Sequence, residues 1–153
     1  MNFILITYFF IILKICELPD DLNITELDLS YKGLTECPDL SRYTKLIKLD
    51  ISNNQLTHLD NLPDGLQKLC CNFNQLIHLD NLPYGLQELY CSGNQLSHID
   101  NLPHGLQILY CNHNKLTHVD NLPYELQELY CSKNPMKYEF EPTLDNIRKH
   151  NQN

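Results

Sequence analysis

The sequence predicts a solenoid of stacked coils, with one parallel sheet on a concave face, an extended, polyproline-like convex side and little helix. Three observations predict it. A 20-residue unit repeats without gaps, a short stretch of each unit alternates polar and apolar residues, and an asparagine stands at one fixed place behind that stretch.

The repeat is read directly. NLPDGLQKLCCNFNQLIHLD, NLPYGLQELYCSGNQLSHID and NLPHGLQILYCNHNKLTHVD run end to end, and NLPYELQELYCSKNPMKYEF follows and decays after its asparagine. Leu66, Leu86, Leu106 and Leu126 mark the frame. Upstream, TKLIKLDISNNQLTHLD fits from Leu46, and ITELDLSYKGLTECPDL fits loosely from Ile24, with 22 residues to the next unit. Six units result, the first degenerate and the last truncated. They cover residues 22–136, with starts near 24, 46, 66, 86, 106 and 126.

Each element follows from side-chain periodicity. In LQELYCSGNQL, Leu86, Leu89, Cys91 and Leu96 point one way, while Glu88 and Tyr90 alternate to the other, the pattern of a strand with one buried face. Parallel strands need a crossover rather than a hairpin. HIDNLPHG supplies the return: Ile99 and Leu102 turn inward, Pro103 blocks further pairing and Gly105 permits a tight bend. That return is too short for a helix, so the convex side is expected to be extended. One coil cannot bury enough apolar surface to offset the ordering of its own backbone, so stacking is obligatory. Asn54, Asn74, Asn94, Asn114 and Asn134 stand where each strand turns away, and an amide that both donates and accepts can satisfy the backbone groups exposed there.

The frame L-x-x-L-x-(L/C)-x-x-N-x-L followed by L-P resembles the leucine-rich-repeat family. Its short period and NLPxGLQ turn are similar to the bacterial-type subclass found in secreted effectors. Tyrosine followed by cysteine, as in LYCSGNQL and LYCNHNKL, resembles the leucine-rich-repeat proteins of amoeba-infecting giant DNA viruses. The resemblance implies an α/β-class leucine-rich-repeat solenoid, a right-handed superhelix, and protein–protein recognition in general. It supplies no shared catalytic residues. A viral source would imply a host protein as partner and host cytoplasm as location.

The ends depart from the repeat. Residues 1–21 read as an apolar N-terminal cap or remnant. Their run FILITYFFIILKIC, at 3–16, would span about 20 Å as a helix, short of a hydrocarbon layer of ~30 Å. A secretory signal or membrane anchor is the competing reading, giving a membrane-tethered or secreted binding protein. It is weakened by the absence of a positive residue before the run and of a small-residue cleavage site after it. Residues 137–153 form a C-terminal cap and tail, with a short helix expected around Leu144, Ile147 and Arg148.

Composition narrows the function. The 153 residues carry a formal charge of −8, and the only basic clustering is Arg42, Lys45 and Lys48, with Lys68 one coil on. That is too little to hold a phosphate backbone, so no nucleic-acid partner is expected. The seven cysteines are odd in number and four recur at the repeat interval, which suits a reducing, intracellular compartment. No phosphate loop, nucleophile elbow or paired carboxylates appear, and an open repeated surface does not gather unlike groups in a pocket. The expectation is a binding protein with no catalytic residues, cofactor or metal.

Three side-chain ladders remain. Cys71, Cys91, Cys111 and Cys131 stand at the inward position that Ile51 holds earlier. A straight row at about 4.8 Å spacing cannot surround one zinc ion, so they read as small core residues. Cys70 points outward and is the candidate reactive thiol. His58, His78, His98 and His118, each two residues before Asp60, Asp80, Asp100 and Asp120, could bind a divalent ion or sense pH. Against that stands simple duplication of exposed histidines, with the aspartates accepting hydrogen bonds in a turn. The third ladder is the functional candidate. Tyr90, Tyr110 and Tyr130 face outward on consecutive strands beside Glu88, Ile108 and Glu128, with Phe73 and His113 beyond them. Tyrosine combines large area, a polar tip and little entropy to lose, so this stripe is expected to dock a protein partner. The alternative is ring stacking that only stabilises the sheet.

Overall fold

A computed structural model describes residues 18–151. The apolar run at 3–16, for which cap, anchor and remnant roles were set out above, lies outside them. Six short strands form one parallel sheet in chain order: β1 (Glu26–Asp28), β2 (Lys48–Asp50), β3 (Lys68–Cys70), β4 (Glu88–Tyr90), β5 (Ile108–Tyr110) and β6 (Glu128–Tyr130). The register is strict, and Leu27, Leu49, Leu69, Leu89, Leu109 and Leu129 stand side by side. Backbone bonding continues one step past each strand, where Cys71 N–H donates to Tyr90 O and Cys91 N–H to Tyr110 O, both at 2.8 Å.

The alternation of the sequence becomes burial because the sheet has one packed face. Leu66, Leu69, Leu76, Leu86, Leu89, Leu96, Leu106, Leu109 and Leu116 form one interior and are wholly excluded from solvent. Ile99 and Leu102 turn inward from the return segment as expected. That segment is extended and closes on a tight turn, in which Leu86 N–H donates to Pro83 O and Leu106 N–H to Pro103 O at 3.0 Å.

The bend itself corrects one expectation. The left-handed backbone falls on Asn61, Asn81, Asn101 and Asn121 (φ 53–54°), and Gly105 does not adopt it. A Cβ at Gly105 would meet nothing within 4 Å, and Glu125 fills the same place in the last coil. Asparagine tolerates this region better than other side chains, so it takes the left-handed position two residues before the Pro103–Leu106 turn, which closes with no left-handed residue of its own. A second left-handed column runs behind the strands at Tyr31, Asn53, Phe73, Gly93, His113 and Lys133. Only Gly93 is also needed for space, because the Phe73 ring lies 2.6 Å from where its Cβ would be.

The asparagine column holds neighbouring coils together. Asn94 Oδ1 accepts from Leu76 N–H, and its Nδ2 donates to Cys71 O and Cys91 O, each at 3.0 Å. Asn74 and Asn114 repeat this arrangement, and all three are buried. Among the described residues no buried side-chain polar atom lacks a partner.

Near β1, the irregular first coil is filled by Tyr43, which is fully buried and donates from its hydroxyl to Pro19 O at 2.7 Å. Beyond β6 lies α1 (Leu144–Asn151), which buries Ile147 against the last coil. Arg148 donates to the carbonyls of Tyr124 and Leu126 at 2.9 and 2.7 Å, tying the helix to the last coil.

Candidate functional site: the concave sheet face

Strand register places the outward side chains in two columns. One holds Glu26, Lys48, Lys68, Glu88, Ile108 and Glu128, and the other Asp28, Asp50, Cys70, Tyr90, Tyr110 and Tyr130. The three tyrosines touch in sequence, Tyr90 to Tyr110 edge-on at 5.0 Å between ring centres and Tyr110 to Tyr130 tilted at 4.4 Å. Each of the first two hydroxyls binds a glutamate: Tyr90 donates to Glu88 at 2.9 Å and Tyr110 to Glu128 at 3.1 Å. Tyr90 and Tyr110 are half-buried, while Tyr130 keeps 51% of its surface in solvent. The three rings thus form a ladder held together by its own contacts, with its last ring still open to solvent.

Electrostatics lock the ladder's near end. Lys68 pairs with Glu88 at 2.7 Å and lies 4.9 Å above the Tyr90 ring. The hydrogen bond from Lys68 holds the Glu88 carboxyl below its usual range. Partial burial, and then the Glu128 bond, push the Tyr110 phenol up to about 12. Phe73 and His113 sit apart from the ladder. Both are exposed on the left-handed column, Phe73 packs on Gly93, and neither makes a ring contact with the tyrosines.

Part of this face escaped the sequence reading. Toward β1 the surface becomes a charged cavity of about 570 Å³, lined by Glu26, Asp28, Lys48, Asp50, Cys70 and Tyr90 among others. Lys48 is matched by Glu26 at 2.7 Å. The basic residues noted in sequence are therefore engaged elsewhere, Lys45 on Asn23 and Arg42 on Tyr43, and they form no joint patch. Cys70 accepts hydrogen bonds from Ser52 Oγ at 3.0 Å and Asn72 Nδ2 at 3.2 Å. Register between residues 20 apart was the signal that could have joined these groups.

The other two ladders fall into place. Cys71, Cys91, Cys111 and Cys131 are buried in the leucine core, and burial raises the pKa of each thiol. The histidines lie on the outside. His78 Nδ1 is 2.9 Å from Asp80 and His58 Nε2 is 3.4 Å from Asp60, so these two carboxylates face imidazoles rather than turn amides. The Nδ1 atoms of His58, His98 and His118 each lie near the preceding hydroxyl, at 3.0, 2.9 and 3.2 Å. Among the described residues no three metal-ligating side chains converge. Zinc titration is expected to leave the melting temperature and the histidine resonances unmoved, and a saturable shift in either would restore the metal reading.

Sheet, return segment and asparagine column together define a leucine-rich-repeat solenoid, bacterial-type in its short coils. A family model described as Leucine Rich Repeat matches residues 45–69 and 85–104. The leucine-rich-repeat domain of a Shigella effector is similar in structure, with a TM-score of 0.74 at 25% identity over 95% of this chain and 71% of that one. YopM from Yersinia enterocolitica gives 0.65 at 36% identity, covering 77% of this chain and 25% of YopM. YopM from Yersinia pestis, a leucine-rich effector protein, gives 0.68 at 31% identity, covering 76% of this chain and 32% of that one. The matched part of this chain thus corresponds to a quarter to a third of either YopM. Comparison with curated proteins finds no match. Among the described residues no helix is long and apolar enough to cross a membrane.

Proposed function

We propose that this chain is a recognition module that binds a protein partner through the concave face of its sheet, without catalysis. The observation that carries this reading is the rigid, half-exposed ladder of Tyr90, Tyr110 and Tyr130. Its rings are preordered by mutual contact, so a partner would meet them at little entropic cost. Glu88, Ile108 and Glu128 flank the contact, and Phe73 and His113 form its rim. The similarity to effector leucine-rich-repeat domains favours recognition over scaffolding. Free, buried thiols suit an intracellular setting, and a viral source, which the Tyr-Cys strands resemble, would make the partner a host protein.

Tyr110→Ala is expected to weaken partner capture about tenfold or more, the scale of an aromatic hot spot, while the melting temperature drops only a few degrees. Capture unchanged at equal folding would remove the ladder from the binding site.

A further inference from the structure

The concave face carries two chemistries, and their arrangement specifies the kind of partner. At the β1–β2 end, Asp28 and Asp50 are register partners on adjacent strands. Each spends one carboxylate oxygen on a local amide: Asp28 Oδ1 accepts from Ser30 N–H at 2.8 Å, and Asp50 Oδ1 from Ser52 N–H at 2.9 Å. Among the described residues neither forms an ion pair, because the two lysines of the same cavity are held by Glu26 and Glu88 at 2.7 Å. The outward columns hold five carboxylates (Glu26, Asp28, Asp50, Glu88 and Glu128) against Lys48 and Lys68, so this face is net negative. The cavity of about 570 Å³ between the aspartates and Tyr90 is continuous with the tyrosine ladder.

Resting on the docking face just proposed, we infer that its occupant is an extended basic segment of a protein partner. An arginine or lysine would lie between Asp28 and Asp50, and an apolar or aromatic side chain would rest on Tyr110 and Tyr130. The spacing sets the length of the motif. From between β1 and β2 to between β5 and β6 is about four strand spacings, or roughly 19 Å, which an extended chain crosses in about five to six residues. A cation gains most here because the carboxylates are already oriented by their amide bonds and sit beside a half-buried apolar wall. An acidic partner would be repelled by the same face.

The test is selection of a phage-displayed random dodecapeptide library on the full chain, followed by affinity measurement of the enriched synthetic peptides. The expected peptides pair Arg or Lys with an aromatic or large apolar residue about five to six positions away, and bind more weakly as salt rises. Asp28→Asn with Asp50→Asn preserves the amide-accepting oxygens and should leave the melting temperature in place while weakening binding on the order of tenfold. Enrichment of acidic or uncharged peptides, no enrichment, or affinity unchanged in the double variant would each overturn the inference. Tyr110→Ala separates the two levels. If it abolishes binding of peptides that ignore the aspartates, the docking face stands and only the basic specificity falls. If peptides ignore both variants, the face itself is wrong.

Discussion

Replacing Asn94 with alanine is expected to destabilise the chain by about 2–3 kcal/mol, since a buried backbone group left without a partner costs ~1–3 kcal/mol and further hydrogen bonds are lost with it. Leu76 N–H loses its partner outright, while Cys71 O and Cys91 O each lose one of two asparagine donors and keep Asn74 and Asn114 respectively. The three groups belong to two coils, so the change loosens the joint between β3 and β4 as well as the unit that carries it. The neighbouring, exposed Gln95 is the control, and its alanine variant should stay within about 0.5 kcal/mol of the parent. Urea denaturation of both variants measures the difference. If Asn94→Ala lost less than about 1 kcal/mol, the asparagine column could not be what fastens coil to coil.

Raising the pH under reducing conditions should unfold the protein steeply, and the buried thiols supply the reason. Free cysteine loses its proton near 8.5. Desolvation keeps Cys71, Cys91 and Cys111 protonated in the core far beyond that point. Their folded pKa values are raised, so this stabilisation is complete below the unfolded value of about 8.5 and is lost as pH climbs toward the folded values. Within that window the unfolded chain holds three fewer protons on these thiols, giving a slope of roughly −4 kcal/mol per pH unit. Tyr110, raised to about 12, acts in the same direction above pH ~10. The triple variant Cys71→Val, Cys91→Val, Cys111→Val should flatten the slope, and the side chains should fit because Ile51 already occupies the equivalent place. Denaturation midpoints at pH 7, 8.5 and 9.5 decide the matter. A level profile in the parent chain would mean that water reaches the sulfurs.

What could be read from the letters was whatever the period protects. Leu69, Leu89 and Leu109 share an interior because a fixed interval fixes their direction, and the asparagines bond across coils for the same reason. Tyr43 was missed because SRYTKL replaces the NLPxGLQ turn in a coil two residues longer, so no frame assigned it a face. The cluster in which Tyr138 stacks on Phe140 and donates to Asp120 also lies where the repeat has decayed. On the concave face the tyrosines were legible as a stripe. The pairing of Lys68 with Glu88, and the charged hollow beside it, required knowing which side chains stand abreast.

The joints between the middle coils are built from the same atoms each time. Gln87 N–H meets Gln67 O, Gln107 N–H meets Gln87 O and Gln127 N–H meets Gln107 O, all at 2.8 Å. Recombination within the gene that drops or duplicates one whole unit therefore rejoins surfaces that already match. Excising residues 86–105 would set Gly85 before Leu106 and leave every remaining joint of a familiar kind. Such a lineage can change the length of its reading surface in a single genetic event, and the ladder of tyrosines grows or shrinks by one rung with it.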